Sequence, residues 1–214
     1  MQCRFAIQKG GADMKHWVVL TNERLMIDGT EQSVVSVGGP LLTDLYRGRI
    51  ADYPKFFKMD PLCKAGFVAS ELLLNAESES GGVEQRAAYG TDSRAVILFG
   101  RDGSLASDTR YQATIQDPDN YFPSPAIFVY TLPNIITGEI AIRNKYYGET
   151  NFIALREKNA EAMLQYLQAA FCDGATQSVL TGWVDCSDEN HFDARMGIIH
   201  KEIVNLQNIS TLLS

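Results

Sequence analysis

Between residues 151 and 184 the sequence changes periodicity twice, and that alternation constrains the fold more than any other feature. An apolar β-type run, NFIAL (151–155), leads into a stretch from about Lys158 to Phe171. There Ala160, Met163, Leu164, Leu167, Ala170 and Phe171 share one helical face, and Asp173-Gly174 closes it. SVLTGWV (178–184) then returns to a β pattern. Strand, helix and strand in that order predict a right-handed βαβ unit on a parallel sheet. RAVILFG (94–100) is a short continuous apolar run, the pattern of a strand buried on both faces.

Other elements follow from start and stop signals. Asp60 can cap backbone N–H groups while Pro61 takes the first helical position, where its missing donor costs nothing. Leu62, Ala65, Ala69, Leu72 and Leu73 then form a core-facing stripe. From Glu77 to Ser93 the residues turn to Glu, Ser and Gly without periodicity, which predicts an exposed loop. Ser104 after Gly103 predicts a helix cap, with the helix running to about Ile115, and QDPDNYFPSP (116–125) reads as a rigid loop. Upstream, HWVVLT (16–21) and RLMID (24–28), with turn signals at Asn22 and Asp28-Gly29, predict one or two hairpins within residues 1–36. Residues 1–13 precede the first convincing strand and read as either a poorly ordered extension or an upstream start, and ARMGIIHKEIVNL (194–206) is a candidate further strand.

Size and charge bound what such a chain does. A chain of 214 residues buries on the order of 70% of its unfolded surface, so one domain needs neither disulfides nor a structural metal. Cys3, Cys63, Cys172 and Cys186 lack paired C-x-x-C spacing, which fits reduced, mostly buried thiols. The net charge of −7 and the absence of a Lys/Arg run argue against nucleic acid. No apolar run approaches the ~20 residues of a membrane span and no signal peptide is recognisable, so the expectation is a cytoplasmic protein.

The stretch SPAIFVYTLPNIITGEIAIRNKYYG (124–148) resembles the segment of β-ketoacyl-acyl-carrier-protein synthases that leads into their catalytic strand. Ser124, Pro125, Pro133, Asn134, Gly138, Ile142 and Gly148 keep the family's spacing without a gap. MDPLCKAGFVASELLLNA (59–76) resembles the family's first long helix, RAVILFG its next strand, and GATQSVLTGWVD (174–185) the strand that usually reads Val-Leu-Ala-Gly-Gly. The likeness covers roughly residues 54–186, and with YPKFFKMD it is similar to the short ketosynthase-like type found beside aryl-polyene or flexirubin pigment genes.

The departures bear on function. In the family a cysteine at a strand-to-helix turn takes up the acyl chain, and the helix N-terminus favours its thiolate. Counting forward from Gly148 and back from Gly174 places that position on Glu157. Cys172 lies a full helix away, at the disfavoured C-terminal end. The family's decarboxylating histidine pair belongs to the second half of a condensing enzyme; His16, His191 and His200 lie outside or at the edge of the matched region.

Glu157 is open to two readings. It is a carboxylate stabilised by roughly 0.3–1 kcal/mol at a helix N-terminus, or it imitates an acylated cysteine, as glutamine does in non-condensing chain-length subunits of the resembled family. Asp185-Cys186-x-Asp188-x-x-His191 has metal-ligand residue types without recurring four-ligand spacing and reads as a solvated turn. Arg143, Lys145, Arg156 and Lys158 are either a basic spot for an acidic carrier protein or scattered surface cations. Tyr146 and Tyr147 read as packing or dimer-contact residues, and Gly100–Ser104 is too short for a phosphate loop. No cofactor is implied.

The fold expected is α/β, one thiolase-like half: a mixed, mostly parallel five-stranded sheet with helices on both faces. It spans one domain, 1–214, divided into a β-rich segment (1–36), a ketosynthase-half-like core (37–190) and a tail (191–214). The resemblance implies pairing through the strand at about Thr150–Arg156, with a second copy or with a ketosynthase subunit, and an acyl carrier protein as a further partner. The expected function is a ketosynthase-like subunit without independent condensing activity in fatty-acid or polyketide synthesis. The alternatives are an acyltransferase or malonyl decarboxylase using Glu157, and a purely structural interaction module.

Overall fold

The computed structural model describes residues 13–81 and 93–214. All of the expected extension at 1–13 except Asp13, and most of the expected loop at 77–93, lie outside the described residues. Among the described residues seven strands form one sheet: β1 (Trp17–Thr21), β2 (Leu25–Ile27), β3 (Thr30–Gln32), β4 (Arg94–Gly100), β5 (Thr150–Ala154), β6 (Ser178–Asp188) and β7 (His191–His200). Their order is β3-β2-β1-β7-β6-β4-β5.

Only β4 with β5 and β4 with β6 run parallel; the other pairs are antiparallel. The expectation of five mostly parallel strands is therefore corrected. The N-terminal hairpin does not stand apart, because β1 pairs with β7 and carries β2 and β3 onto the same sheet. The presumed tail supplies β7, a single 3₁₀ turn (Lys201–Ile203) and a closing helix. Such long-range pairing depends on strands 170 or more residues apart, which local patterns do not encode.

The helices are α1 (Gly38–Leu45), α2 (Pro61–Gly81), α3 (Leu105–Ala113), α4 (Pro125–Val129), α5 (Ile135–Asn144), α6 (Ala160–Ala170) and α7 (Leu206–Leu213). A π-helical turn (Tyr46–Ile50) and a 3₁₀ turn (Pro54–Lys58) join α1 to α2. Alternation along the strands divides the core in two. Val96, Leu98, Leu180 and Val184 face α1, α2 and α5, whereas Ala95, Ile97, Phe99, Val179 and Trp183 face α6 and α7. Every residue of β4 is buried, as its unbroken apolar run predicts.

The expected βαβ unit is β5–α6–β6, with β4 inserted between its two strands. Asp60 caps α2 by accepting the Cys63 N–H at 2.9 Å. Ser104 occupies the N-cap position of α3, but its carbonyl rather than its hydroxyl receives the first N–H groups. Residues 116–124 form a loop, and Pro125 opens α4 with Ser124 as cap.

The stretch at 77–81 is helical, which corrects the loop expected there. Glu77 is buried and accepts two hydrogen bonds from Arg94 of β4, at 2.7 and 2.8 Å. α2 therefore runs about one turn further than its composition suggests, because a partner 17 residues on neutralises the carboxylate.

Candidate functional site

The carboxyl ends of parallel strands are where open α/β sheets place their sites; β4 and β5 end together at Gly100 and Ala154, while β6 runs on past them to Asp188. β4 stops at Gly100, where an added Cβ would stand 2.4 Å from the Val184 carbonyl oxygen, so only glycine passes. The next N–H, of Arg101, donates to Asp185 Oδ1 at 2.6 Å, and Trp183 Nε1 donates to Oδ2 at 2.7 Å. Asp185 is thus committed to tying β6 to the end of β4. The Leu155 N–H donates to the Gly100 carbonyl at 3.0 Å and fixes the exit of β5.

Residues 155–159 form the turn from β5 into α6, whose Asn159 cap accepts the Ala162 N–H at 2.9 Å. Glu157 stands in this turn, two residues before the cap, and is exposed. Among the described residues its side chain has no hydrogen bond or ion pair, and it lines neither of two surface cavities of about 770 and 430 Å³. Its neighbour Lys158 reaches Asp193 Oδ2 at 2.5 Å, and the same carboxylate accepts Arg195 Nε at 2.9 and 3.1 Å.

The four expected cations separate. Arg143 is turned inward onto Glu71 at 3.3 Å and the Asp52 carbonyl at 3.2 Å, with its guanidinium 5.4 Å from the Tyr53 ring centroid. Lys158 is held by Asp193, Lys145 ends α5 in a left-handed conformation, and Arg156 is exposed. Tyr146 is half-buried beneath the Arg94 guanidinium, 5.7 Å from its ring centroid, whereas Tyr147 is 73% exposed.

Asp185, Cys186, Asp188 and His191 lie on the β6–β7 hairpin, which bulges between Cys186 and Asp188. His191 Nδ1 meets both Asp188 oxygens at 2.9 Å, and the Asn190 N–H donates to Oδ1 at 2.7 Å. These bonds, that from the Asn190 backbone first, hold the Asp188 pKa below the usual carboxylate range. The residues are spent on the turn, and among the described residues no group of three His, Cys, Asp or Glu is arranged to hold a metal.

One polar cluster escapes sequence reading. Glu139, buried on α5, receives Lys55 Nζ at 2.7 Å and the Tyr53 hydroxyl at 3.2 Å. Glu71, buried on α2, receives Asn144 Nδ2 at 3.0 Å besides Arg143. Two carboxylates interrupting apolar helix faces are the signal that points to such a network, though not to its partners. Burial, then Asp60, then Glu139 push the Cys63 thiol well above its ordinary pKa, so this cysteine is no nucleophile. Burial likewise raises Cys186 and Tyr130, each to about 12. Cys172, exposed at the end of α6, donates to the Gln168 carbonyl at 3.3 Å.

Among the described residues β5 is the outer strand of the sheet and pairs on one side only. α5 packs beside it, and α4 buries none of its residues. Exposed apolar side chains lie on α5 and in the turn into β5, Ile142 (66%) and Tyr147, and on α4 and its flanking loops, Phe122 (73%) with Phe128, Val129 and Leu132 about half exposed. Gly148 lets the chain enter β5 alongside β4, since a Cβ there would stand 2.5 Å from the Arg94 carbonyl oxygen.

No protein-family model and no curated protein matches the chain at the sequence level. Solved structures do match. A chain of the ishigamide ketosynthase/chain length factor aligns over 85% of this chain at 17% identity with a TM-score of 0.56. A chain of a ketosynthase in complex with its chain length factor, from Xenorhabdus doucetiae, aligns over 95% at 11% identity and 0.57.

The chain has a ketosynthase-like fold.

A third structure of this fold, a type II acyl-carrier protein in complex with its ketosynthase bound to a hexaketide, aligns over 88% at 9% identity and 0.52. The chain spans 54% of the first of these chains, 62% of the third and 90% of the second. The α/β architecture that the resemblance implied is therefore observed, with seven strands among the described residues where five were expected. Among the described residues no helix is long and apolar enough to cross a membrane.

Proposed function

We propose that this ketosynthase-like chain is a partner subunit that docks on a ketosynthase-type protein and does no condensation of its own. The observation that carries the reading is the edge of β5, unpaired among the described residues, with the exposed apolar side chains Ile142 of α5 and Tyr147 of the turn into β5 beside it. Open strand edges and apolar patches of this kind are stable when covered by a partner. The solved structures of this fold that include a chain length factor or an acyl-carrier protein support the same reading. Glu157 at the strand-to-helix turn supplies no thiolate, so no acyl-enzyme can form there.

Coexpression with a complete ketosynthase tests the proposal. Wild type copurifies as a stoichiometric complex by native mass spectrometry, whereas Ile142→Glu and Tyr147→Glu, both on exposed side chains, lower recovery at least tenfold without changing Tm. A chain that stays monomeric at tens of micromolar and binds no ketosynthase overturns it. A β-ketoacyl product made by this chain alone from acyl- and malonyl-carrier protein overturns the non-condensing half of the reading.

A second reading has Glu157 act as a mimic or base in malonyl decarboxylation, and its place just ahead of the α6 cap favours it. Loss of malonyl-carrier-protein decarboxylation in Glu157→Ala supports this reading; no turnover by wild type removes it. The purely structural interaction module is the outcome in which the complex forms and Glu157→Ala changes nothing.

A further inference from the structure

At the opposite end of α2 from its Asp60 cap, three side chains from separate elements meet in line. Ser80, in the last turn of α2, places Oγ 2.7 Å from His16 Nε2, and His16 Nδ1 lies 2.9 Å from Asp28 Oδ2. Asp28 is itself fixed: its Oδ1 accepts the Trp17 N–H at 2.8 Å, and its own N–H donates to the Trp17 carbonyl at 2.9 Å. That reciprocal pair holds the carboxylate against the imidazole and selects the tautomer with a proton on Nδ1, leaving Nε2 as acceptor. The Ser80 proton has a second acceptor, the Glu77 carbonyl at 3.0 Å, but the imidazole contact is the shorter.

Asp28 and Ser80 line the cavity of about 770 Å³; its wall adds apolar Ile27, Leu72 and Ala76 and polar Thr30, Gln32, Asn75, Glu79 and Arg49, and His16 stands behind it, between the two. A short acyl group fits against Ile27, Leu72 and Ala76 with its polar leaving group toward the remaining wall, and the volume lies in the range of small-molecule sites. The arrangement is far from Glu157 in the fold. α2 ends beside the start of β4, where Glu77 meets Arg94, whereas Glu157 follows the end of its parallel neighbour β5.

We propose that Ser80, His16 and Asp28 form a hydrolytic site for activated acyl groups, esters or thioesters, seated in this cavity. Ser80 Oγ attacks the acyl carbonyl carbon and forms the new C–O bond as its proton passes to His16 Nε2. The tetrahedral adduct collapses, the bond to the leaving alcohol or thiol breaks, and His16 returns the proton to that leaving group. Water then repeats the sequence on the acyl-serine and releases a carboxylic acid. Asp28 is the positioning residue, holding the imidazole in one tautomer and stabilising its protonated form. The proposal goes beyond the partner reading and does not rest on it.

The full chain is tested with a fluorophosphonate probe, with p-nitrophenyl butyrate as oxygen ester and with butyryl-N-acetylcysteamine as thioester. Wild type takes one label, mapped to Ser80 by peptide mass spectrometry, and turns over at least one substrate above the buffer blank. Ser80→Ala, a substitution at an exposed helix end, abolishes the label and lowers turnover about 100-fold or more, with Tm unchanged. His16→Gln does the same, and Asp28→Asn lowers kcat about tenfold or more while KM stays within twofold. Labelling elsewhere, turnover that survives Ser80→Ala or His16→Gln, or no turnover by the folded wild type overturns the proposal. Ketosynthase binding by Ser80→Ala remains as in wild type, so the two readings fail separately.

Discussion

Glu77→Ala strands a buried positive charge, and its effect can be worked from the structure. The Arg94 side chain is 4% exposed and that of Glu77 11%. The guanidinium donates twice to Glu77, once to Ser178 Oγ at 3.0 Å, and stacks near Tyr146. Burial works against the charge on Arg94, but Glu77 and Tyr146 outweigh it and its pKa is raised. Losing two hydrogen bonds to a charged group costs about 3–6 kcal/mol, and stranding one partner of a buried pair about 3–5. The surviving Ser178 and Tyr146 contacts place the expected loss near the lower end, about 3–4 kcal/mol. With an urea m-value of about 2–3 kcal/mol/M, the midpoint falls by about 1–2 M, and Tm by roughly 6–16 °C. Glu77→Leu combined with Arg94→Met returns to within about 1.5 kcal/mol of wild type, because removing both charges also removes their desolvation. Urea titration followed by tryptophan fluorescence decides the matter. A loss below about 1 kcal/mol for Glu77→Ala, or a double variant no better than the single, refutes the reasoning.

Three further outcomes are expected. Asp60→Ala removes the acceptor of both the Cys63 N–H and the Ser107 hydroxyl, each at 2.9 Å, and costs about 2–4 kcal/mol by urea titration, against about 1 for Ser107→Ala. Ala51 is held at φ 51° and ψ −167°, a region suited to glycine, so Ala51→Gly raises Tm by about 2–4 °C in calorimetry. Stability falls as pH rises above about 8.5, where an unfolded cysteine ionises. The folded thiol of Cys186 keeps its proton until about pH 12, and that of Cys63 is raised in the same direction. The unfolded state binds fewer protons in this window, so each buried thiol contributes a loss of up to about 1.4 kcal/mol per pH unit, and Cys186→Ala reduces the slope measured by denaturant titration from pH 8 to 10.

Legibility varied with how local each signal was. β4 was legible because burial on both faces leaves an unbroken apolar run, and α6 because its face repeats at helical spacing. The α2 start was legible because Asp60 and Pro61 act within one turn. α1 and α5 were not, since GGPLLTDL and IITGEIAIRN carry helix-weakening glycines and β-branched residues that tertiary packing overrides. The end of α2 was missed because Glu77 is stable in a buried helix only once Arg94 arrives from another element. Of the candidate site, the position of Glu157 at a strand-to-helix turn was legible by counting. The Glu139 and Glu71 networks and the His16, Asp28 and Ser80 alignment were not, because each joins residues from separate elements far apart in the chain.

What the sequence by itself determined is the set of locally encoded parts: a fully buried strand, an amphipathic crossover helix, a capped long helix, and a carboxylate in the turn between an apolar β run and the crossover helix. Only the tertiary structure decided how those parts are joined. It added the N-terminal hairpin to the main sheet through β1 and β7, inserted β4 between β5 and β6, and left β5 at the edge. The physical reason is that side-chain periodicity records which face of an element is buried, whereas strand order depends on hydrogen bonds between backbones, which are chemically the same at nearly every residue.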